Sequence, residues 1–295
     1  MSTVVRFSPD LGRWLTHNLD AGLAPQAVVT TMLQQGMNER TAHAIVAAYV
    51  DARRRGGAMP DGLVELPEEA PSRPMARLAP GTRIPAADRE IVVHSRGDDP
   101  VFAALGNVVD AHECKAIIEM ARPRLTPSTL VDPMTGRDVV SDKRSSWGMF
   151  FRPGENDLVA RLDRRLSALM NLPLENGEGL QVLHYPMGAG SEPHYDYLAP
   201  TNAANRESIA RSGQRVSTLV TYLNDVPEGG QTVFPQLGLA VSPIRGNACY
   251  FEYCDDRGRV DARSLHASAA VTRGEKWVMT KWMRGRRFVA AGERA

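Results

Sequence analysis

Cysteine is scarce in this chain of 295 residues: there are three, Cys114, Cys249 and Cys254, and no two form a CxxC pair. An odd number without a pairing motif argues against a disulfide scaffold and for reduced thiols, so a cytoplasmic location is expected. Net charge is also nearly absent. Thirty-five basic and 34 acidic side chains leave +1, too little to gather nucleic acid or an anionic membrane, and neither is expected as a partner. The basic clusters Arg53-Arg54-Arg55 and Arg284 with Arg286-Arg287 read as solvated faces. No apolar run reaches bilayer-spanning length, and residues 1–15 lack the basic and apolar segments of a signal peptide. No internal repeat is present. Apolar residues at 43% and charged residues at 23% are ordinary values, sufficient for a sizeable core and incompatible with wholesale disorder.

The chain begins with helical signals. Ser8-Pro9 reads as an N-cap and first-turn proline, with Leu11, Trp14, Leu15 and Leu19 on one face and Gly22 as a stop. A second helix is expected from Pro25 to Gly36. A third follows Asn38, with Ala42, Ile45, Val46 and Tyr49 at helical spacing. Residues 1–56 are therefore expected to form a small all-helical module, with its own core or with a face for substrate or a partner. Six prolines between Pro60 and Pro85 predict an extended linker over 57–90. A larger domain is expected over 91–289, with 290–295 as a tail. Asp110 reads as the cap of a helix carrying Cys114, Ile117 and Ile118, and 156–170 as a second helix. Beyond Leu180 short strands dominate, over 181–185, 217–223, 248–252 and 277–283. Helices followed by short strands predict an α+β domain with a β-sandwich or barrel core. Cys249 and Cys254 fall in strand-like runs and read as core thiols.

Chemistry begins at Pro193-His194-Tyr195-Asp196-Tyr197. On a strand, His194 and Asp196 point to one face. Alone, the pair reads more readily as a hydrogen-bonded structural histidine beside a surface aspartate. His266 changes the balance, because two histidines and one carboxylate on one face form the facial triad of non-haem iron oxygenases. If 276–284 is a strand, then Lys276, Val278, Thr280, Trp282 and Arg284 share a face. A lysine pointing into a barrel requires an anion, and the distal carboxylate of 2-oxoglutarate would serve. An exposed strand lysine is the competing reading. Thr232 and Tyr185 offer hydroxyls to the same carboxylate. A zinc hydrolase or a sugar-binding jelly roll would have no use for that lysine. A non-catalytic sensor binding metal and 2-oxoglutarate stays open.

The segments 181–185, 194–196, 215–225 and 229–235, with His266, Gly274-Glu275-Lys276-Trp277 and Thr280-Lys281-Trp282, resemble the prolyl 4-hydroxylase branch of the iron- and 2-oxoglutarate-dependent oxygenases. The likeness spans about two thirds of the chain in order and spacing. It implies a double-stranded β-helix, or jelly-roll, core with flanking helices. It implies Fe(II) held by His194, Asp196 and His266, and 2-oxoglutarate held by Lys276, Thr232 and Tyr185. Dioxygen would be the second co-substrate and ascorbate (vitamin C) a stimulant. Arg144, Ser146, Glu178 and Arg215 match positions lining the family's substrate side, and Trp282 sits near the same pocket. Two positions depart from the pattern: Ser191 replaces a frequent tyrosine and Arg284 a frequent histidine. The expected reaction is hydroxylation of a prolyl residue in a peptide or protein, with release of succinate and CO2. The alternative is a free amino acid or other small molecule, whose carboxylate Arg284 would receive. Residues 131–143 and 199–213 read as flexible loops over the site, or as plain surface connections.

Overall fold

The computed structural model describes residues 4–66, 76–131, 138–140, 145–255 and 259–292. The chain divides into two compact units, Met1–Pro71 and Ser72–Ala295.

In the first unit, β1 (Val4–Arg6) precedes α1 (Pro9–Asp20), α2 (Pro25–Gln34) and α3 (Glu39–Arg55), and β2 (Leu63–Glu65) closes it. The Ser8 hydroxyl caps α1 by accepting from the Leu11 N–H, and the Asn38 side chain caps α3 by accepting from Thr41. Leu15, Leu19, Val28, Met32, Ile45 and Tyr49 form one core. Gly12 makes room for Tyr49 there, since a Cβ would lie 2.7 Å from the Tyr49 hydroxyl oxygen and displace it. The unit is not all-helical. β2 pairs antiparallel with β1, Val5 opposite Val64, and a three-residue strand is too short to leave an alternation signal.

The second unit opens with β3 (Arg83–Ala86), β4 (Arg89–Asp98) and β5 (Val101–Gly106), then α4 (Ala111–Ala121). There follow β6 (Thr126–Pro127), β7 (Thr129–Val131), β8 (Asp138–Val140), β9 (Trp147–Phe151) and α5 (Asp157–Leu169). Next come β10 (Leu180–Tyr185), β11 (Ser191–His194), α6 (Ala203–Ser212) and β12 (Arg215–Tyr222). The chain ends with β13 (Glu228–Gly229), β14 (Thr232–Phe234), β15 (Leu239–Val241), β16 (Ala248–Glu252), β17 (His266–Ser268), β18 (Val271–Arg273) and β19 (Lys276–Arg284). Nine strands form a sheet in the order β3-β4-β5-β16-β12-β19-β10-β9-β6, and four form a second, β11-β17-β14-β15. Both sheets are antiparallel throughout, and their inner faces line a shared cavity. This is a jelly-roll core.

β19 sits mid-sheet and alternates cleanly. Trp277, Met279 and Met283 pack with Ile117 of α4 and Leu162, Leu166 and Leu169 of α5, while Lys276, Val278, Thr280 and Trp282 face the cavity. Arg165 of α5 ties this side together, donating four hydrogen bonds to the Asp88 and Glu113 carboxylates and a fifth to the Val108 carbonyl. Among the described residues no helix is long and apolar enough to cross a membrane.

The expected linker over 57–90 is corrected. It contains β2 and β3, and Leu78, Ile84 and Ala86 are buried in the large core, so that core starts upstream of residue 91. Pro85 misleads because β3 is an edge strand, where a missing N–H donor costs nothing. Residues 199–213 are not a loop either. They hold α6, capped by the Asn202 side chain accepting from Asn205. Of 131–143, Val131 and 138–140 lie in the β7–β8 pair, and the remainder falls outside the described residues.

A chain starting at residue 72 is expected to fold cooperatively, whereas one starting at residue 88 loses β3, Leu78 and Ile84. Large-to-small replacement of one such side chain costs about 2–5 kcal/mol, so the shorter chain should melt far lower or be insoluble. Equal thermal midpoints for the two would remove β3 from the core.

Candidate active site

His194 ends β11 and stands directly opposite His266, the first residue of β17. Between the Ser191–Ser268 and His194–His266 pairs β11 carries one residue more than β17, a bulge that re-aims the end of the strand. Asp196 lies past that end, in a bend, rather than on the strand as the same-face expectation required. Its carboxylate nevertheless reaches both imidazoles: Oδ1 is 3.8 Å from His194 Nε2 and Oδ2 is 3.7 Å from His266 Nε2. The three potential ligand atoms lie within 4.8 Å of one another, the one such group of three among the described residues.

Local hydrogen bonds orient these groups. His194 Nδ1 is 2.9 Å from the Glu192 carbonyl, and His266 Nδ1 is 3.0 Å from the Ser264 carbonyl. Each Nδ1–H donates to its carbonyl, which turns both Nε2 atoms toward Asp196. Thr218 Oγ1 donates to Asp196 Oδ2 at 2.8 Å and lies 3.1 Å from the Tyr253 hydroxyl. Burial alone would raise the Asp196 carboxyl. The charges of His266, His194 and Arg215 outweigh it and hold the group well below the carboxylate range. Two imidazole nitrogens and one ionised carboxylate converging on one point suit Fe(II) and leave coordination positions open.

Lys276 begins β19 and is buried in the same cavity. Its Nζ donates to Ser268 Oγ at 2.8 Å and lies 5.2 Å and 5.8 Å from the Tyr185 and Tyr222 ring centres. No carboxylate among the described residues pairs with it. Burial pushes its ammonium down to about 7. An ammonium so placed is costly until an anion arrives. Hydroxyls surround the position: Thr232 is buried and its Oγ1 accepts from the Tyr222 hydroxyl at 2.9 Å, and Tyr185 lines the cavity. The donor set thus fits a divalent iron beside a dicarboxylate.

The remaining candidates separate. Glu178 is buried and takes two bonds from Arg215, at 2.7 Å from Nε and 2.9 Å from Nη2. The Arg215 guanidinium lies 4.0 Å from the Trp282 ring centre and donates to the Asp196 carbonyl at 3.2 Å. Glu178, Arg215 and Trp282 therefore form one cluster beside the triad, of which Trp282 lines the cavity and Arg215 and Glu178 stand behind it. Ser146 is buried and donates to Ser128 Oγ at 3.0 Å, and it does not line the cavity. Arg144 lies outside the described residues. Ser191 lines the cavity, and its hydroxyl accepts from the Ser268 N–H at 3.0 Å.

Arg284 is corrected on both counts. It is buried rather than solvated, and its guanidinium is already engaged, by Glu178 at 2.6 Å, the Gly213 carbonyl at 2.8 Å and Ser208 Oγ at 2.9 Å. It is not held open for a substrate carboxylate. Thr218, Tyr222, Ser268 and Tyr253 escaped the sequence reading. The one signal for the first two was a pair of hydroxyls at even spacing in the apolar run 215–222.

The 2OG-Fe(II) oxygenase superfamily model matches residues 180–284, which run from β10 to the end of β19. Probable prolyl 4-hydroxylase 10 of Arabidopsis thaliana is 37% identical over 205 residues, covering 63% of this chain and 69% of the relative. Probable prolyl 4-hydroxylase 3 of the same plant is 35% identical over 225 residues, covering 67% and 77%. A solved viral collagen prolyl hydroxylase from Paramecium Bursaria Chlorella virus-1, in complex with 2OG, matches with TM-score 0.49 and 25% identity over 61% of this chain and 94% of that one. The chain belongs to the prolyl 4-hydroxylase family of 2OG-Fe(II) oxygenases.

Lys276→Met is expected to stabilise the ligand-free protein by about 1–4 kcal/mol, as replacing a poorly paired buried charge does. The gain should be fullest near pH 7 and shrink toward pH 10.5. Over that range the unfolded chain keeps a proton that native Lys276 has shed, so wild-type stability rises relative to the variant. The same change should abolish stabilisation by added 2-oxoglutarate. Denaturant unfolding across pH, with and without the keto acid, checks both, and a destabilised variant that still responds to 2-oxoglutarate refutes the placement.

Proposed function

We propose that the protein is an Fe(II)- and 2-oxoglutarate-dependent hydroxylase of prolyl residues in a peptide or protein. One observation carries the reading: a buried ammonium without a carboxylate partner among the described residues shares one cavity with a two-histidine, one-carboxylate triad. Iron bound with 2-oxoglutarate and dioxygen supplies the oxidising power that converts the keto acid to succinate and CO2 and hydroxylates a C–H bond. The chain's own residues bind and orient. His194, Asp196 and His266 would hold the metal, with Thr218 fixing the carboxylate. Lys276 would take the distal carboxylate of 2-oxoglutarate in a charge-assisted bond, with Thr232 and Tyr185 adding hydroxyls. Leu183, Val220 and Val278 line the cavity between these polar groups and exclude water. Trp282, backed by Arg215 on Glu178, forms the wall that would receive the substrate. No side chain has to act as a nucleophile.

A prolyl residue within a chain is favoured over a free amino acid because Arg284 offers no open fork to an α-carboxylate. The names of the plant relatives point the same way. Ascorbate would sustain turnover. A cytoplasmic location is supported by three cysteines that are all free and buried.

His194→Ala and His266→Ala are each expected to abolish succinate formation with a proline-rich peptide, because a lost ligand weakens the metal and its geometry. Peptide-stimulated succinate release, read with a mass gain of one oxygen on proline, is the measurement. Wild-type protein that binds iron and 2-oxoglutarate but turns over no peptide would be a sensor instead. Stimulation by free amino acids alone would overturn the peptide substrate.

A further inference from the structure

We infer that Arg284 is a positioning residue for substrate recognition: by sharing the Glu178 carboxylate with Arg215 and bonding α6, it fixes the Arg215–Trp282 wall. This rests on the reading of the site as a peptide hydroxylase. The geometry is specific. Glu178 Oε1 accepts from Arg215 Nε at 2.7 Å and from Arg284 Nε at 2.6 Å, so one oxygen is held by two guanidiniums. The other fork nitrogens of Arg284 reach Ser208 Oγ on α6 and the Gly213 carbonyl just after it.

The segment between Asp196 and Arg215 is thereby tied down at both ends. At its base, the Gln214 amide donates to the Leu198 carbonyl at 2.8 Å and accepts from the Leu198 N–H at 2.7 Å. At its far end, Arg286 donates to the Ile209 and Ala210 carbonyls at 3.0 Å and 2.7 Å, capping the C-terminus of α6 with a cation. Among the described residues, Arg284 is the one side chain that joins this α6 anchorage to Glu178. Burial alone would raise the Glu178 carboxyl, but Arg215 and Arg284 together hold it ionised, below its usual range.

Two cations to one carboxylate make the arrangement testable. Removing Arg284 still leaves Glu178 paired with Arg215, so no buried carboxylate is orphaned, and what is lost is the register of Arg215 against Trp282. Small misplacement of a positioning group costs about tenfold or more. A planar fork is needed to bond Glu178, Ser208 and Gly213 at once, and lysine cannot supply one.

The experiment uses the full chain with wild type, Arg284→Met, Arg284→Lys, Arg215→Met and the Arg215→Met/Arg284→Met double variant. Binding of a fluorescent proline-rich peptide is measured by anisotropy under anaerobic conditions, alongside KM for peptide and for 2-oxoglutarate. Both Arg284 variants are expected to raise the peptide Kd and KM about tenfold and to leave the 2-oxoglutarate KM near wild type. In the Arg215→Met background, Arg284→Met should add less than the roughly twofold spread of independent sites. If Arg284→Met fails to fold, Arg284→Lys carries the same readings. Unchanged peptide affinity, a parallel rise in both KM values, or full additivity with Arg215→Met each overturn the inference. Wild-type protein that binds no peptide overturns the hydroxylase reading itself, whatever the variants do.

Discussion

The site depends on the central position of β19. Because that strand is hydrogen-bonded on both edges, by β10 and β12, its register is fixed, and a one-residue slip would exchange its two faces. The alternation then does two jobs at once. Trp277, Met279 and Met283 anchor α4 and α5 from one side, and that anchorage holds Lys276 and Trp282 in the cavity on the other. A charged lysine would not choose the interior by its own transfer energy. The burial of its odd-numbered neighbours places it there, which is how a fold maintains an unfavourable group at a functional position.

The candidate metal-binding triad has a second origin. It comes from the smaller sheet, where β11 and β17 bring residues 72 positions apart in the chain into direct opposition. The imidazole orientations, by contrast, are set within a few residues, since each ring bonds the carbonyl two positions before it. The long-range pairing brings the groups together and the local bonds aim them. Thr218 brings the large sheet to the same point by holding Asp196, so the carboxylate is located by both sheets although its own backbone belongs to neither.

Those origins explain what the sequence reveals. Period-two apolar spacing and caps are local signals, and the helices at Pro9–Asp20, Ala111–Ala121 and Asp157–Leu169, like the strands at 180–185, 215–222 and 276–284, follow from them. His194, Asp196, His266 and Lys276 stand out because their chemistry has few other uses in such a pattern. Three features were hidden. α6 has little apolar stripe and is held mainly by caps and by contacts with 284–289. β3 hides behind prolines that only an edge strand tolerates. The partners of Arg284 lie 71 to 106 positions away, and no local pattern distinguishes a buried, shared guanidinium from a solvated one. The error about the Arg284 cluster was of that kind.

The charges of the cavity close the argument. Asp196 contributes one negative charge from the bend after β11 and Lys276 one positive charge from β19, and among the described residues the two do not pair. Left so, each is a buried ion only partly compensated by hydroxyls and neighbouring dipoles. A divalent iron against Asp196 and a doubly negative keto acid spanning from metal to Lys276 would leave the whole assembly neutral. Either ligand alone leaves an imbalance in a low-dielectric space, where uncompensated charge is expensive. The cavity is therefore suited to the pair more than to either member, because each ligand supplies the charge that the other leaves uncompensated.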